Sequence, residues 1–229
     1  SENRLALQEL LPEAIISCYD SYDDSQLSHL LDWADVVCIG CGLGMGQISE
    51  KILKNVLKNV SCPCVIDADG LNLLSRNIEL LNQCCAPVIL TPHMKEMSRL
   101  TGWSIDTIME DRFQALDQII KQSGPDTKSS IICVLKDSRT VVAQTNRQRF
   151  VNLAGNNSMA KGGSGDVLAG TIAGLLAQHM APFEAAAVGV FLHACGGDEA
   201  KKSKGSYSVL ARDLIQGMAD AMKNAKECR

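Results

Sequence analysis

The sequence predicts an α/β fold in which a mainly parallel sheet is covered by helices. Short apolar runs alternate with segments of helical periodicity along most of the chain. Polar residues stand at the carboxyl ends of several runs, and a helical pattern follows most of them, which is typical of parallel strands connected through helices. In such sheets ligands bind beyond the carboxyl ends of the strands, so the polar residues there are candidates for a functional site.

Four apolar runs predict buried strands, and two shorter runs predict a hairpin. In chain order the four strands cover residues 35–40, 64–67, 87–93 and 130–136, and the hairpin covers 140–143 and 149–151. The most polar stretch, residues 121–130, predicts a surface loop because it is rich in residues that favour turns.

Helical periodicity follows the first strand and dominates the second half of the chain. After the first strand, apolar residues recur at helical spacing at Ile48, Ile52, Leu53, Val56 and Leu57. A short helix is predicted over residues 96–101, where Gly102 ends it. Three longer helices are predicted over residues 166–179, 183–201 and 208–225.

Length and composition fit a soluble globular protein with one large α/β domain or two small ones. The chain has 229 residues, of which 46% are apolar and 21% charged, and its net charge is −4. This acidic balance argues against a nucleic-acid groove. No apolar run approaches the roughly 20 residues that span a membrane, and residues 1–4 do not open a signal peptide. We therefore expect a cytoplasmic protein without nucleic-acid or membrane partners.

Ten cysteines are scattered along the chain. Cys38 and Cys133 fall inside apolar runs, where cysteine behaves as a small hydrophobic residue. Cys38 and Cys41 form a C-x-x-C pair, and Cys62 and Cys64 stand close together, but neither pair has a second pair at zinc-site spacing. We therefore expect free thiols in a reducing cytoplasm.

A glycine-rich loop just before the predicted helix at residue 166 is the most informative motif. Gly162, Gly163 and Gly165 lack side chains, so backbone N–H groups can converge there on an anion such as phosphate. The helix start adds unpaired N–H groups and the positive end of its dipole. Asp166 would repel phosphate, so its carboxylate fits a base acting on a hydroxyl, a metal ligand or a helix cap. The density of glycine favours function.

Candidate residues fall at the carboxyl ends of the predicted strands and at the start of the helix near residue 166. They are Gly42, Gly44, Asp67, His93, Lys136 and Asp166. This coincidence supports one shared site more strongly than any single residue does, because parallel strands bring their carboxyl ends to the same edge.

Five motifs occur along nearly the whole chain in a fixed order. They are Gly40-Cys41-Gly42-Leu43-Gly44, Asp67-Ala68-Asp69-Gly70-Leu71-Asn72, Leu90-Thr91-Pro92-His93-Met94-Lys95-Glu96-Met97-Ser98-Arg99-Leu100, Leu135-Lys136-Asp137-Ser138-Arg139-Thr140 and Gly163-Ser164-Gly165-Asp166. Together they resemble the ADP/ATP-dependent NAD(P)H-hydrate dehydratase family of the ribokinase-like superfamily. The resemblance implies a ribokinase-like three-layer α/β/α sandwich with a mainly parallel sheet. Residues 1–229 would form a single domain that lacks the first strand–loop–helix unit of the family.

The same resemblance implies a repair reaction on hydrated NADH and hydrated NADPH. ADP or ATP, as co-substrate with Mg²⁺, would phosphorylate the ring hydroxyl, and phosphate would then be eliminated. Positioning and charge stabilisation carry most of such a transfer, so backbone N–H groups, a lysine and a magnesium ion suffice. The family also implies a homo-oligomer, commonly a tetramer, and in many bacteria an epimerase domain fused upstream.

The resemblance also assigns roles to residues. Asp166 would be the catalytic base, and the N–H groups around Gly163 and Gly165 would form the anion hole for the transferred phosphoryl group. Residues that contact the nucleotide would be Lys136, Asp137, Ser138, Arg139, Thr140 and Gly165. Residues that contact the substrate would be Gly42, Gly44, His93 and Asp166. For Lys136 alone the alternative is a solvated cation, and for His93 alone it is a turn residue.

Metal-supporting carboxylates are implied as well. Asp67 and Glu96 would hold Mg²⁺, through water, and Asp69 and Asn72 are further candidates. Asp69 fits a helix cap equally well, and Glu96 fits the first turn of a helix.

Three departures from the family pattern stand out. Cys41 replaces a proline, Met94-Lys95 replaces Pro-Gly, and Asp137 replaces a glycine. The first two change loop stiffness without removing a catalytic group. Asp137 places a negative charge where a nucleotide phosphate is expected, so we expect an altered affinity or preference for the nucleotide.

Two alternatives stay open at the level of the sequence. One is a small-alcohol kinase of the same superfamily that acts on a thiazole or pyrimidine vitamin precursor. The other is a catalytically silent nucleotide-binding module, which Asp137 and the missing first unit motivate. The Thr-Pro-His and Lys-x-x-x-Thr motifs favour the dehydratase over the kinase.

Overall fold

A computed structural model describes residues 4–19, 21–122, 130–145 and 148–227. Its helices are α1 (Arg4–Leu10), α2 (Asp24–Trp33), α3 (Gln47–Asn59), α4 (Asp69–Leu74), α5 (Met94–Thr101), α6 (Ile105–Glu110), α7 (Arg112–Ile120), α8 (Ser164–Ala177), α9 (Pro182–Lys204) and α10 (Ala211–Glu227). Its strands are β1 (Val37–Ile39), β2 (Cys64–Ile66), β3 (Val88–Leu90), β4 (Ile131–Leu135), β5 (Val141–Gln144) and β6 (Arg149–Val151). Two short 3₁₀ helices cover Ile78–Gln83 and Asn157–Met159.

The strands form one mixed sheet in which spatial order follows chain order. The order is β1-β2-β3-β4-β5-β6, and the first four strands are parallel. The last two strands are antiparallel and form the expected hairpin beside β4. The four parallel strands therefore end at one edge of the sheet, which confirms the prediction of a mainly parallel sheet.

Helices cover both faces of this sheet. Residues that alternate along the strands, such as Ile66 and Leu90, pack on one face with apolar residues of α3 to α7. The intervening residues, such as Val65 and Ile89, pack on the other face with α8 and α9. Strands that are buried on both faces read as continuous apolar runs, which explains the pattern in the sequence. The three layers confirm the predicted α/β/α sandwich.

The longest helix, α9, packs between α8 and α10 through small residues. A Cβ atom added at Gly217 of α10 would lie 2.1 Å from the carbonyl oxygen of Gly196 of α9, and one added at Gly189 of α9 would lie 2.7 Å from Cγ1 of Ile172 of α8. Glycine at these positions therefore sets how closely the helices approach. None of the described helices combines the length and apolar character that a membrane span requires.

Two helices begin two residues earlier than their patterns predict. The helix expected from residue 96 begins at Met94, because His93 caps it with its side chain. The helix expected from residue 166 begins at Ser164, because Gly163 caps it in a left-handed conformation. Most of the surface loop predicted over residues 121–130 lies outside the described residues.

The prediction that Cys38 is buried is wrong. Cys38 is exposed, whereas Cys133 is buried as expected. The difference arises because β1 is an edge strand of the described sheet, while β4 is paired on both sides. All nine described cysteines are free thiols, and the tenth, Cys228, lies outside the described residues.

Candidate functional site

The loop after β1 is fitted closely against the end of β2. Gly40 has φ +121°, and a Cβ atom there would lie 1.9 Å from the carbonyl oxygen of Asp67 and 2.7 Å from the nitrogen of Gly70. Only glycine fits such a backbone conformation and such a contact. The N–H of Gly44 donates to Oδ2 of Asp69 at 2.8 Å. The glycine loop is thereby fixed beside the carboxyl end of β2.

Asp69 and Asn72, two candidates for metal binding, have protein partners. Asp69 is the first residue of α4, and its carboxylate accepts the hydrogen bond from Gly44. Oδ1 of Asn72 accepts from Nη1 of Arg99 at 2.6 Å. These contacts give both side chains a role in holding the loops together.

Asp67 and Lys136 form an ion pair at the carboxyl ends of β2 and β4. Nζ of Lys136 lies 2.7 Å from Oδ1 of Asp67, whose side chain is 2% exposed. A carboxylate so deeply buried is costly unless it is paired, and the ammonium group offsets that cost. The backbone N–H of Lys136 also donates to the carbonyl of Pro92. Lys136 is therefore a partner within the site and not a solvated cation.

His93 and Glu96 form a capping box at the start of α5. Nδ1 of His93 accepts from the backbone N–H groups of Lys95 and Glu96, and Oε2 of Glu96 accepts from the N–H of His93 at 2.9 Å. Each residue thus satisfies a backbone donor that the helix start leaves unpaired. The backbones of His93 and Lys136 also form an isolated parallel β-bridge, which brings the start of α5 to the edge of the sheet where the parallel strands end.

Glu96 is buried close to the charges of the site. Burial raises the pKa of its carboxyl group, and the nearby charge of Asp67 raises it further. The hydrogen bond from the N–H of His93 and the charge of Lys136 oppose this rise in pKa. Asp67, Glu96 and Lys136 therefore interact electrostatically as one group.

The glycine-rich loop ends in a helix start with free donors. Gly163 has φ +86° and caps α8, which begins at Ser164. Within the described residues, the backbone N–H groups of Gly165 and Asp166 have no hydrogen-bond acceptor. Such donors, together with the positive end of the helix dipole, suit an anion. Oγ of Ser164 donates to the carbonyl of Met159 at 2.7 Å and anchors the loop behind them.

Gly165 joins the helix start to the ion pair. A Cβ atom at this position would lie 3.1 Å from Nζ of Lys136 and 3.4 Å from Oδ2 of Asp67. The absence of a side chain therefore lets the donors of α8 approach the Lys136–Asp67 pair. The sequence motifs of Lys136, Asp67 and Gly165 meet at this point.

Asp166 faces Asp67 and the thiol of Cys41. One ligand atom from each of the three residues lies within 4.8 Å of the others. Cys41 is exposed as a residue, but partial desolvation of its thiol and the hydrogen bond of the thiol to Asp166 raise the pKa of Cys41 to about 12. Although the side chain of Cys38 is exposed, protein atoms around its thiol remove part of its hydration, and this loss, with the charges of Asp67 and Asp166, raises the pKa of Cys38 to about 11. Both thiols are therefore protonated at neutral pH.

The segment after β4 has its own set of contacts. The side chain of Asp137 pairs with Arg112, whose Nη2 lies 2.8 Å from Oδ2 of Asp137. Nη1 of Arg139 donates to the carbonyl of Leu153, and Oγ1 of Thr140 donates to the carbonyl of Asp137. Ser138 and Arg139 are exposed. The pairing with Arg112 offsets the charge that Asp137 brings beside the expected nucleotide.

Three supporting residues were missed by sequence reasoning. Arg112 neutralises Asp137, and Asp198 of α9 accepts hydrogen bonds from the N–H of Gly155 and the side chain of Asn156. His193 of α9 is buried next to the start of α8, and burial lowers its pKa to about 4. All three act from a distant part of the chain, so no local motif signals them.

Comparisons with known proteins point to one family. The sequence model of a family described as NAD(P)H-hydrate dehydratase matches residues 1–219. The bifunctional NAD(P)H-hydrate repair enzyme of Moorella thermoacetica is 38% identical over 193 residues, which make up 84% of this chain and 35% of that protein. The ADP-dependent (S)-NAD(P)H-hydrate dehydratase of Neisseria meningitidis is 36% identical over 222 residues, with coverage of 95% and 73%.

A solved structure is similar over almost the whole chain. It is the ADP/ATP-dependent NAD(P)H-hydrate dehydratase of Bacillus subtilis, co-crystallized with ATP and Mg²⁺ and soaked with CoA. The TM-score is 0.80 at 27% identity, and the match covers 97% of this chain and 78% of that one. The chain spans only 35% to 40% of the length of several bifunctional relatives.

Proposed function

This chain belongs to the NAD(P)H-hydrate dehydratase family, and from that premise we propose that it dehydrates hydrated NADH and NADPH with ADP or ATP as phosphoryl donor. One observation carries the proposal. Gly165 brings the free N–H groups of α8 against the Lys136–Asp67 ion pair, so a base, an anion hole and a nucleotide lysine share one place. Phosphoryl transfer requires these three parts together.

In the first step Asp166 acts as the base. Its carboxylate takes the proton from the hydroxyl of the hydrated ring, and the hydroxyl oxygen bonds to the terminal phosphorus of the nucleotide. The bond from that phosphorus to the leaving nucleotide breaks, so ATP yields ADP, and ADP yields AMP. General bases contribute about a hundred- to ten-thousandfold to such rates.

The free N–H groups at the start of α8 stabilise the charge that develops on the transferred group. The N–H groups around Gly163 and Gly165 supply the anion hole, and no side chain intervenes between them and the phosphoryl oxygens. In the second step the carbon–oxygen bond breaks and phosphate leaves. The ring loses a proton, and its double bond re-forms.

Nucleotide and substrate occupy opposite sides of this centre in our proposal. Lys136, Asp137, Ser138, Arg139 and Thr140 line the nucleotide together with Gly165. Gly42, Gly44 and His93 line the hydrated nicotinamide nucleotide, with Asp166 between the two. The glycine loop and His93 lie at the sheet edge that also carries Lys136, which supports one centre shared by nucleotide and substrate.

The donor set fits a magnesium ion. Mg²⁺ prefers oxygen ligands, and the carboxylates of Asp67 and Glu96 are buried close to one another. We propose that these two residues hold Mg²⁺ through water, where it would neutralise nucleotide phosphates. The similar Bacillus subtilis protein was crystallized with ATP and Mg²⁺.

We further propose that residues 1–229 form one ribokinase-like domain and that the protein assembles with copies of itself, as a tetramer, in the cytoplasm. Two apolar residues of α9, Val188 and Phe191, are 37% and 49% exposed and offer a surface for self-association. The free thiols support a reducing compartment. An upstream epimerase domain is proposed by analogy with relatives that are bifunctional.

The test is an assay on chemically hydrated NADH with ADP or ATP and Mg²⁺. We expect return of the absorbance of reduced nicotinamide, with one phosphate released per NADH formed. Running ADP and ATP in parallel measures the preference for the nucleotide. The same assay with hydrated NADPH measures the second substrate.

Both alternatives predict other results in that assay. A vitamin-precursor kinase would leave the ring hydrate unchanged and would phosphorylate a thiazole or pyrimidine alcohol. A silent module would bind nucleotide with no phosphate release from either substrate. Either result would contradict the dehydratase proposal.

A further inference from the structure

We propose that Cys41, Asp67 and Asp166 form a binding site for a thiophilic divalent cation such as Zn²⁺, distinct in chemistry from the magnesium site. The Sγ atom of Cys41 and one carboxylate oxygen from each aspartate lie within 4.8 Å of one another. Zinc bonds of about 2.0 to 2.3 Å place neighbouring ligand atoms roughly 3.3 to 3.8 Å apart. Small side-chain rotations therefore suffice to close the three groups around one ion.

The backbone holds the three ligands in this arrangement. Cys41 follows Gly40, whose position is fixed by its contact with the carbonyl of Asp67. Asp166 lies in the first turn of α8, which Gly165 brings against Oδ2 of Asp67. The ligands thus come from the ends of β1 and β2 and from one helix, three rigid elements that meet at the site.

The local charge favours a cation. Asp67 uses Oδ1 for its pair with Lys136, so the other oxygen is open to a metal. No basic side chain within the described ranges lies at ion-pair distance from Asp166. Two aspartates and the nearby Glu96 therefore face one lysine, which leaves an excess of negative charge for a divalent ion to offset.

The thiol selects the kind of metal. Sulfur and carboxylate ligands suit Zn²⁺, whereas Mg²⁺ takes oxygen ligands and keeps its waters. On binding, the Cys41 thiol gives its proton to solvent and the thiolate bonds to the metal. The fourth tetrahedral position would hold water. A magnesium ion bound through Asp67 and Glu96 does not need Cys41, so the two cations can be told apart.

The consequence for catalysis rests on the proposed function. A metal bonded to Asp166 occupies the carboxylate that would take the proton of the substrate, so Zn²⁺ should inhibit turnover. Binding itself does not depend on that function. A direct measurement of binding therefore separates failure of the site from failure of the proposed reaction.

The experiment titrates the full chain with Co²⁺, a spectroscopic substitute for Zn²⁺, and follows the ultraviolet charge-transfer band that a thiolate–cobalt bond produces. We expect one equivalent to bind with this band and Zn²⁺ to displace it, while Mg²⁺ in excess does not. In Cys41→Ser the band should be lost and Zn²⁺ affinity should fall at least about tenfold. Asp166→Asn should retain the thiol but also bind at least about tenfold more weakly.

Cys85→Ser is the matched control. Cys85 is exposed and free like Cys41 but precedes β3, so it lies at the opposite edge of the sheet. This variant should keep the band and the affinity. No band in the wild type, a band that persists in Cys41→Ser, or one lost in Cys85→Ser would overturn the proposal.

The inhibition arm uses hydrated NADH, ATP and Mg²⁺ with increasing Zn²⁺. Each variant is compared with its own activity without Zn²⁺. Wild type and Cys85→Ser should lose activity at the same Zn²⁺ concentration, and Cys41→Ser should need at least about tenfold more. A Co²⁺ band without any dehydratase activity would retain the metal site and reject the proposed function.

Discussion

At the scale of single residues, the candidate site depends on two adjacent residues: Gly165 must lack a side chain, and Asp166 must provide one. Gly165 contributes by having no side chain, because a Cβ atom there would press on the Lys136–Asp67 pair. Asp166 contributes a carboxylate in the next position, in the first turn of α8. Position 165 therefore requires glycine, and position 166 requires a carboxylate. A minimal substitution tests each requirement.

Asp166→Asn keeps the shape of the side chain and removes the base. We expect turnover of hydrated NADH to fall about a hundred- to ten-thousandfold, while nucleotide affinity stays within several-fold. Turnover is measured by absorbance and affinity by calorimetry. Asp220→Asn, at an exposed residue of α10, should match the wild type in both. Wild-type rates in Asp166→Asn would remove Asp166 from the role of base.

Gly165→Ala and Gly174→Ala place the same methyl group on one helix. At position 165 it meets Nζ of Lys136 at 3.1 Å, whereas nothing lies within 4 Å at position 174. We expect turnover to fall about tenfold or more in Gly165→Ala through displacement of the ion pair. Gly174→Ala should retain activity and gain roughly 0.5 to 1 kcal/mol of stability, measured by urea unfolding. Equal turnover in the two variants would contradict the role of the contact.

Arg112 pairs with Asp137, which lies in the proposed nucleotide site. Arg112→Gln exposes the charge of Asp137, so nucleotide affinity should fall about two- to fivefold, a small effect because the pair is partly exposed. Adding Asp137→Asn to that variant removes the charge and should restore affinity. Calorimetry at low salt measures both. A double variant that stays as weak as Arg112→Gln would show that charge is not the cause.

At the scale of elements, the sequence predicted strands and helices well because each carries its own periodicity. The starts of α5 and α8 were placed two residues late, since His93 and Gly163 act as caps outside the apolar pattern. The sequence did not predict the exposure of Cys38, because a short apolar run does not reveal whether its strand is the outermost strand of the sheet.

For the candidate site, the sequence predicted which residues lie at the strand ends but not which of them contact each other. Strand ends supplied Asp67, His93 and Lys136, because parallel topology carries local motifs to one edge. The pairing of Asp67 with Lys136, 69 residues apart, follows from tertiary packing and has no local signal. The contacts of Arg112 and Asp198 could not be predicted from the sequence for the same reason.

The contact between α9 and the start of α8 predicts a dependence of stability on pH. His193 is 8% exposed, and burial lowers its pKa to about 4, below its ordinary value of 6.5. The unfolded chain therefore binds a proton between pH 6.5 and about 4 that the folded chain does not. Stability should fall as the pH falls through this window, by up to about 3 kcal/mol from this group.

His193→Gln removes that proton and should flatten the decline, although stability at pH 7 also drops from lost packing. Urea unfolding at several pH values between 7 and 4.5 measures the slope. The raised pKa of Glu96 acts in the opposite direction and is common to both proteins. Exposed His29 provides the control, since His29→Gln should keep the wild-type slope. The same slope in His193→Gln would exclude His193 as its source.

At the scale of the whole molecule, one sheet edge carries the candidate site, while the outer side of α9 carries two exposed apolar residues. The strands lie in the sheet in the order in which they occur in the chain, so motifs at the ends of consecutive strands lie side by side. Val188 and Phe191 lie on the outer side of α9, whose inner side packs against the sheet. The proposed catalytic site and the proposed self-association surface therefore lie on different parts of the molecule.

Phe191→Glu should weaken self-association through this surface. A buried charge at an apolar contact is costly, so light scattering should show a smaller species than the wild type at the same concentration. Tyr207→Glu, at a residue that is 95% exposed, should leave the mass unchanged. An unchanged mass in Phe191→Glu would place assembly on another face.

The close packing of Gly40 against Gly70 limits which substitutions these two positions can accept. A Cβ atom at Gly70 would lie 2.8 Å from Cγ2 of Ile66 and 3.2 Å from the Cα of Gly40. Both positions already hold the smallest residue, so no change at one can compensate for a change at the other. Among variants that still fold, we expect both to remain glycine without covariation, whereas Gly46, with φ −79° and open space around it, should accept many residues.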